Sequence, residues 1–96
     1  MKIYPHTFSG LPAVQVESEL KSLIDLIKQG NVKSYLEIGC ARGDTFHEIV
    51  CSMPKGSRAI AIESPGEAWG INSSRGKLIA AAADLRTKGY DVAILW

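Results

Sequence analysis

Three short aliphatic runs, spaced so that one helix fits between each pair, limit this chain more than any other feature. Ser34-Tyr35-Leu36-Glu37-Ile38, Arg58-Ala59-Ile60-Ala61-Ile62-Glu63 and Asp91-Val92-Ala93-Ile94-Leu95-Trp96 read as strands. Nineteen residues separate the first from the second, and 27 the second from the third. Such gaps suit parallel strands joined by crossovers rather than hairpins. The middle run is nearly continuous in apolar residues, as in a strand covered on both faces.

The intervening segments carry the helical period. Val16, Leu20, Leu23, Ile24 and Ile27, with Leu26 widening the apolar side, predict a helix over 16–29 that ends at Gly30. Phe46, Ile49, Val50 and Met53 predict a second over 44–53, stopped by Pro54-Lys55-Gly56. Thr45 with Glu48 matches a capping box at its start, and Asp44 is the other candidate cap. Leu78, Ile79, Ala82 and Leu85 predict a third over 76–88, closed by Gly89. Residues 66–75 form a connection in which Trp69 reads as a cap over the core. Residues 1–15, with Pro5, Gly10, Pro12 and little periodicity, read as a lead-in arm. Helix, strand, helix, strand, helix, strand over 16–96 predicts an α/β fold. A parallel sheet with right-handed crossovers and helices on both faces is expected. The third strand is the last element, so the pattern is half of a doubly wound fold, whose ligands bind where the strand order reverses.

Several functional classes drop out. Ninety-six residues make at most one domain. Eleven basic against ten acidic residues leave a formal net charge of +1, so neither nucleic acid nor an acidic partner is expected on electrostatic grounds. No run of eighteen apolar residues predicts a membrane span, and the first residues lack the apolar core of a signal peptide. The two cysteines, Cys40 and Cys51, and two histidines make neither a disulfide scaffold nor a zinc framework. A reducing, cytoplasmic home is the expectation.

Chemistry concentrates in Glu37-Ile38-Gly39-Cys40-Ala41-Arg42-Gly43, directly between the first strand and the second helix. Gly39 can take a turn that a side chain would block. Gly43 would let the helix begin close to the sheet or to a ligand, and the N–H groups of 40–44 would point into a crevice. Glu63 ends the next strand, twenty residues after Gly43. A carboxylate there can accept both hydroxyls of a ribose. Glu37 faces the same crevice. Two acids disfavour a pyrophosphate and favour a cation, so an adenosine carrying a cationic amino acid fits better than NAD. Arg42 reads as a solvated loop residue and His47 as a surface or boundary residue. Cys51 reads as packing, and Cys40 has no histidine neighbour to make it a nucleophile.

The segment Leu36-Glu37-Ile38-Gly39-Cys40-Ala41-Arg42-Gly43 resembles the first motif of class I S-adenosylmethionine-dependent methyltransferases, written acidic, any, Gly, any, Gly, any, Gly. Glu37, Gly39 and Gly43 match, and Ala41 stands at the middle glycine. Trp69 and Gly89-Tyr90-Asp91-Val92 are similar to a subgroup of small-molecule or sugar-modifying methyltransferase-like proteins.

The resemblance covers 16–96 and implies the N-terminal half of a Rossmann-like three-layer sandwich, with parallel strand order 3-2-1. It implies that S-adenosylmethionine lies against Gly39, Cys40, Ala41 and Gly43, with Glu37 nearby and Glu63 on the ribose. The family's further cofactor and catalytic contacts would fall beyond Trp96, so no catalytic residue is assigned and the chain alone is expected to transfer no methyl group. The competing reading is a non-catalytic or vestigial module for adenosine-like ligands. A dinucleotide-dependent oxidoreductase is weaker, because Ala41 and Arg42 break the G-x-G-x-x-G pattern. Strand 34–38 would be an unpaired edge, so self-association is expected. Either two such edges pair, giving 3-2-1-1′-2′-3′, or strand 91–96 is exchanged about a hinge at 86–90.

Overall fold

The computed structural model describes residues 2–64 and 73–96. Its elements are α1 (Glu17–Gln29), β1 (Ser34–Ile38), α2 (Asp44–Cys51), β2 (Arg58–Ile62), α3 (Ser73–Thr87) and β3 (Asp91–Leu95). The three strands form one parallel sheet in the order β1-β2-β3, in which Ser34 pairs with Arg58 and Arg58 with Asp91. The expected α/β class and 3-2-1 order are therefore found. Helix α2 is shorter than expected, ending at Cys51. The amides of Ser52 and Met53 turn back to Ile49 and Val50 before Pro54 forbids continuation. Helix α3 begins three residues earlier than the aliphatic stripe suggested. Trp69 and most of the 66–75 connection lie outside the described residues.

One expectation changes. The helices do not flank both faces of the sheet among the described residues. Each crossover steps the same way across the sheet, and two right-handed crossovers taken in one direction put their helices on the same side. Ala59, Ala61 and Val92 on that side pack with Phe46, Ile49 and Val50 of α2 and with Leu78, Ala82 and Leu85 of α3. Leu20 and Ile27 of α1 join the same cluster, whereas Leu23 and Leu26 are exposed. The alternate residues Leu36, Ile38, Ala93 and Leu95 face outward and remain exposed. Of the sandwich, the described residues supply the sheet and one helical layer. No described helix is long and apolar enough to cross a membrane.

The arm is docked onto the domain. Ile3 bridges Val16 and His6 bridges Pro12 in antiparallel fashion, and a turn closes where the Gly10 amide donates to the Thr7 carbonyl at 2.9 Å. Ala13 is fully buried. The Tyr4 hydroxyl donates to Glu48 at 3.1 Å, Thr7 Oγ1 to Asp44 Oδ1 at 2.7 Å, and the Phe8 ring stacks on His47 at 4.6 Å. These are contacts of single residues, so no periodic signal announced them. They seat the arm along α2 and beside the loop that precedes it.

Candidate functional site

The loop after β1 is built from left-handed turns. Gly39, Ala41 and Gly43 have φ of +79°, +49° and +81°. The Gly39 amide donates to the Ile62 carbonyl at 2.8 Å, which carries the β1–β2 ladder one residue past the strand. Among the described residues a Cβ at Gly39 would meet nothing within 4 Å, so its φ rather than crowding by them demands glycine. Gly43 answers to a different constraint. A Cβ there would lie 2.7 Å from Leu78 Cδ1 and 3.4 Å from Ala81 Cβ, so its bareness admits α3. Gly43 is also the N-cap of α2, accepting from the His47 amide at 2.8 Å.

Neither Asp44 nor Thr45 caps α2 with its side chain. Asp44 is buried and engaged by the arm and the loop: Thr7 binds one oxygen, and Arg42 Nε lies 2.7 Å from the other. Arg42 also donates to the Pro12 carbonyl at 2.9 Å. It is therefore a half-buried clasp between arm and loop, not the solvated side chain expected.

Glu63 lies just past β2 and beside the loop. One carboxylate oxygen accepts from the Ala41 amide and the other from the Ser64 amide at 2.8 Å. The Gly43 amide donates to the Cys40 carbonyl at 2.8 Å. Two of the loop amides expected to face a crevice are thus used within the chain. Glu37 is half-buried on the covered side of β1, where it accepts from the Tyr35 hydroxyl at 2.6 Å. Burial pushes its carboxyl above the usual carboxylate range, and the charge of Glu63 acts the same way, against hydrogen bonds from Tyr35 and Cys40. Cys40 is buried, its thiol 3.3 Å from the Glu37 carbonyl. Burial first, then the Glu37 charge, push that thiol up to about 12, so it stays protonated at neutral pH.

A raised carboxyl has a defined pH signature. Below the unfolded value, near 4.5, Glu37 is protonated in both states and carries no ionisation penalty. As pH rises through the folded value, the folded state must ionise a half-buried group and loses stability relative to the unfolded chain. Glu37→Gln removes that penalty and keeps an acceptor for Tyr35. The stability of Glu37→Gln minus that of the natural chain, from urea unfolding, should be more positive at pH 7 than at pH 3.5. An equal difference at both would show that Glu37 ionises freely.

His47 is the residue the sequence reading placed least well. It is buried between the Phe8 ring and Asp84, with Nε2 2.7 Å from Asp84 Oδ2, and Lys88 binds the same carboxylate. Its i,i+4 neighbour Cys51 lies at the exposed end of α2, Sγ 3.7 Å from Nδ1. Positions 47 and 84 are on different helices, so only the packing of α2 on α3 could join them. A cavity of 250 Å³, lined by Arg58, Ala59, Ile60, Asp91 and Ala93, opens at the start of β2 and β3, away from the loop. Among the described residues no cluster of three histidine, cysteine or acidic side chains is placed to hold a metal.

No protein-family model matches the sequence, and no curated protein matches it. Solved structures do. The O-methyltransferase TomG from Streptomyces achromogenes, involved in tomaymycin synthesis and solved in complex with SAM, superposes with a TM-score of 0.60 at 20% identity. The match covers 88% of this chain and 36% of that one. An O-methyltransferase from Bacillus cereus in complex with SAH gives 0.60 at 18% identity, over 92% of this chain and 38% of the other. At such identities the likeness is one of fold. The chain spans little more than a third of either enzyme.

Proposed function

We propose that this chain is the cofactor-binding part of an S-adenosylmethionine-dependent methyltransferase domain, taking the cofactor at Gly39, Cys40, Ala41 and Gly43 with Glu63 toward the ribose. The observation that carries the reading is the meeting of Glu63 with the loop. A carboxylate at the end of β2 lies within hydrogen-bonding reach of Ala41, and no described residue crowds the side of Gly39 where a ligand would sit. Glu37, close enough to Glu63 for their charges to interact, gives that corner the negative character that suits a sulfonium and an ammonium group. Both similar enzymes were solved with S-adenosyl ligands. The bound cofactor would supply the activated methyl group. The chain's own part is to bind and orient it, and methyl transfer needs an acceptor held in line at reacting distance, for which no residue is assigned here.

A second reading is a module that binds an adenosine-like ligand without catalysis: each oxygen of Glu63 accepts one backbone amide and keeps a lone pair for a ribose hydroxyl, and no residue is assigned to hold an acceptor. With Cys40 and Cys51 both free, the reducing cytoplasm suits either reading. Self-association belongs to the proposal as well. Pairing of strand 34–38 with a second copy and exchange of residues 91–96 are the routes expected from sequence.

Calorimetric titration with S-adenosylmethionine, S-adenosylhomocysteine and NAD tests the assignment. The S-adenosyl ligands should bind more tightly than NAD. Glu63→Ala should weaken them about 10- to 100-fold, the worth of a hydrogen bond to a charged group. Tighter binding of NAD, or an affinity indifferent to Glu63, would overturn it. A radiolabel assay showing no transfer to any acceptor alongside tight binding would favour the second reading.

A further inference from the structure

The arm meets the loop and α2 through single side chains, and two of these contacts fall on either side of Gly43. The Pro12 carbonyl accepts from Arg42 at 2.9 Å, and the Thr7 hydroxyl donates to Asp44 Oδ1 at 2.7 Å. Farther along α2 the Phe8 ring stacks on His47, and the Tyr4 hydroxyl donates to Glu48. Inside the arm the Tyr4 amide donates to the Gln15 carbonyl at 2.9 Å and the Thr7 amide to the Leu11 carbonyl at 3.1 Å. The arm is thus tied to itself, with Ala13 seated in the core, and it docks or leaves as a unit.

We propose that the arm is a strap that holds the Gly39–Gly43 loop in its left-handed course, so that a ligand taken at the loop tightens the arm. The ligand half of this rests on the cofactor reading, and the strap half does not. Ala41 is the strained point, a residue with a side chain at φ +49°. From the sheet, Glu63 holds it by its amide. From the other direction it is held through Arg42, the next residue, whose guanidinium lies between the Pro12 carbonyl and the Asp44 carboxylate. Release of the arm removes the first of these partners and takes Thr7 from the second.

Asp44 makes that release consequential. It is only 6% exposed, and among the described residues its Oδ2 has the Arg42 ion pair but no aligned hydrogen bond. Without Thr7 the buried carboxylate must turn to water, and Arg42 turns with it. Ala41 is then free to leave the left-handed region. A ligand that binds the left-handed loop therefore also favours the docked arm.

Amide hydrogen exchange tests both halves. Thr7→Val deletes the bond to Asp44 and keeps the shape of the side chain. Phe8→Ala loosens the arm elsewhere, at His47. Without ligand, the Ala41 amide should exchange about tenfold faster in Thr7→Val and about threefold faster in Phe8→Ala. The Gly39 amide, held by the Ile62 carbonyl in the sheet ladder, should keep its rate. Equal acceleration at Gly39 would mean general loosening, and an effect of Thr7→Val without one of Phe8→Ala would mean a local contact of Asp44. Either result overturns the strap, as does an unchanged Ala41. For the ligand half, S-adenosylhomocysteine is added to the natural chain at saturation. Coupling is reciprocal, so the Tyr4 and Thr7 amides should slow about fivefold or more. Binding that leaves both unchanged overturns the ligand half. Absence of binding in the calorimetric titration overturns the cofactor reading and the ligand half with it, while the strap is still judged at Ala41.

Discussion

Replacing Gly43 with alanine should lower the stability of the domain by about 2–5 kcal/mol. Two independent costs add. At φ +81° an L side chain meets its own backbone, which costs roughly 1–2 kcal/mol. The new methyl would also stand 2.7 Å from Leu78 Cδ1, and Leu78 is fully buried, so it can yield only by disturbing α3. Overpacking of that kind costs about 1–3 kcal/mol. Leu78→Ala supplies the control. It should destabilise by about 2–5 kcal/mol on its own, yet in its background Gly43→Ala should cost only the conformational part, giving a coupling of about 1–3 kcal/mol in a double-mutant cycle. Urea unfolding of the four proteins measures it. A cost below ~1 kcal/mol, or no coupling, would mean that α3 does not press on the loop.

Phe46→Ala should be more damaging still, at about 3–5 kcal/mol. Phe46 is fully buried near the start of α2, its ring 6.0 Å from that of Tyr35, which in turn holds Glu37. A domain of this length has roughly 5–14 kcal/mol to lose. The variant should unfold at a far lower urea concentration with an unchanged dependence on denaturant. Phe46→Leu keeps most of the volume and should lose less than half as much. Equal losses from the two substitutions would show that ring shape, not buried volume, holds α2 down.

Both effects concern the same piece of structure, the joint between the loop and α2. Gly43 and Phe46 hold that joint from two sides, one by admitting α3 and the other by filling the space beneath. The left-handed Ala41 then stands where its amide meets Glu63. Stability and ligand affinity are accordingly expected to move together for changes at 43 and 46, and separately for changes at Glu63.

The order of elements was legible in the chain because each signal is local. A period of 3.6 or a short aliphatic run needs no distant partner to be recognised. The Gly39–Gly43 loop and Glu63 were legible for the same reason, as residue types at the ends of strands. What a glycine is for was not legible. No described residue crowds Gly39, whereas Gly43 opens onto Leu78, and the two look alike until α3, 35 residues away in the chain, is laid against one of them. Arg42 and His47 were misjudged on similar grounds. Pro12 and Asp44 bind the first, Phe8 and Asp84 the second, and only Asp44 is near either in sequence. Local pattern determined the strands, the helices and the candidate loop. The strand order was expected from the family resemblance; the tertiary structure alone decided that the described helices gather on one face of the sheet and leave the other without a described helix. That choice depends on how whole elements pack, and the side-chain period is the same whichever way the chain turns.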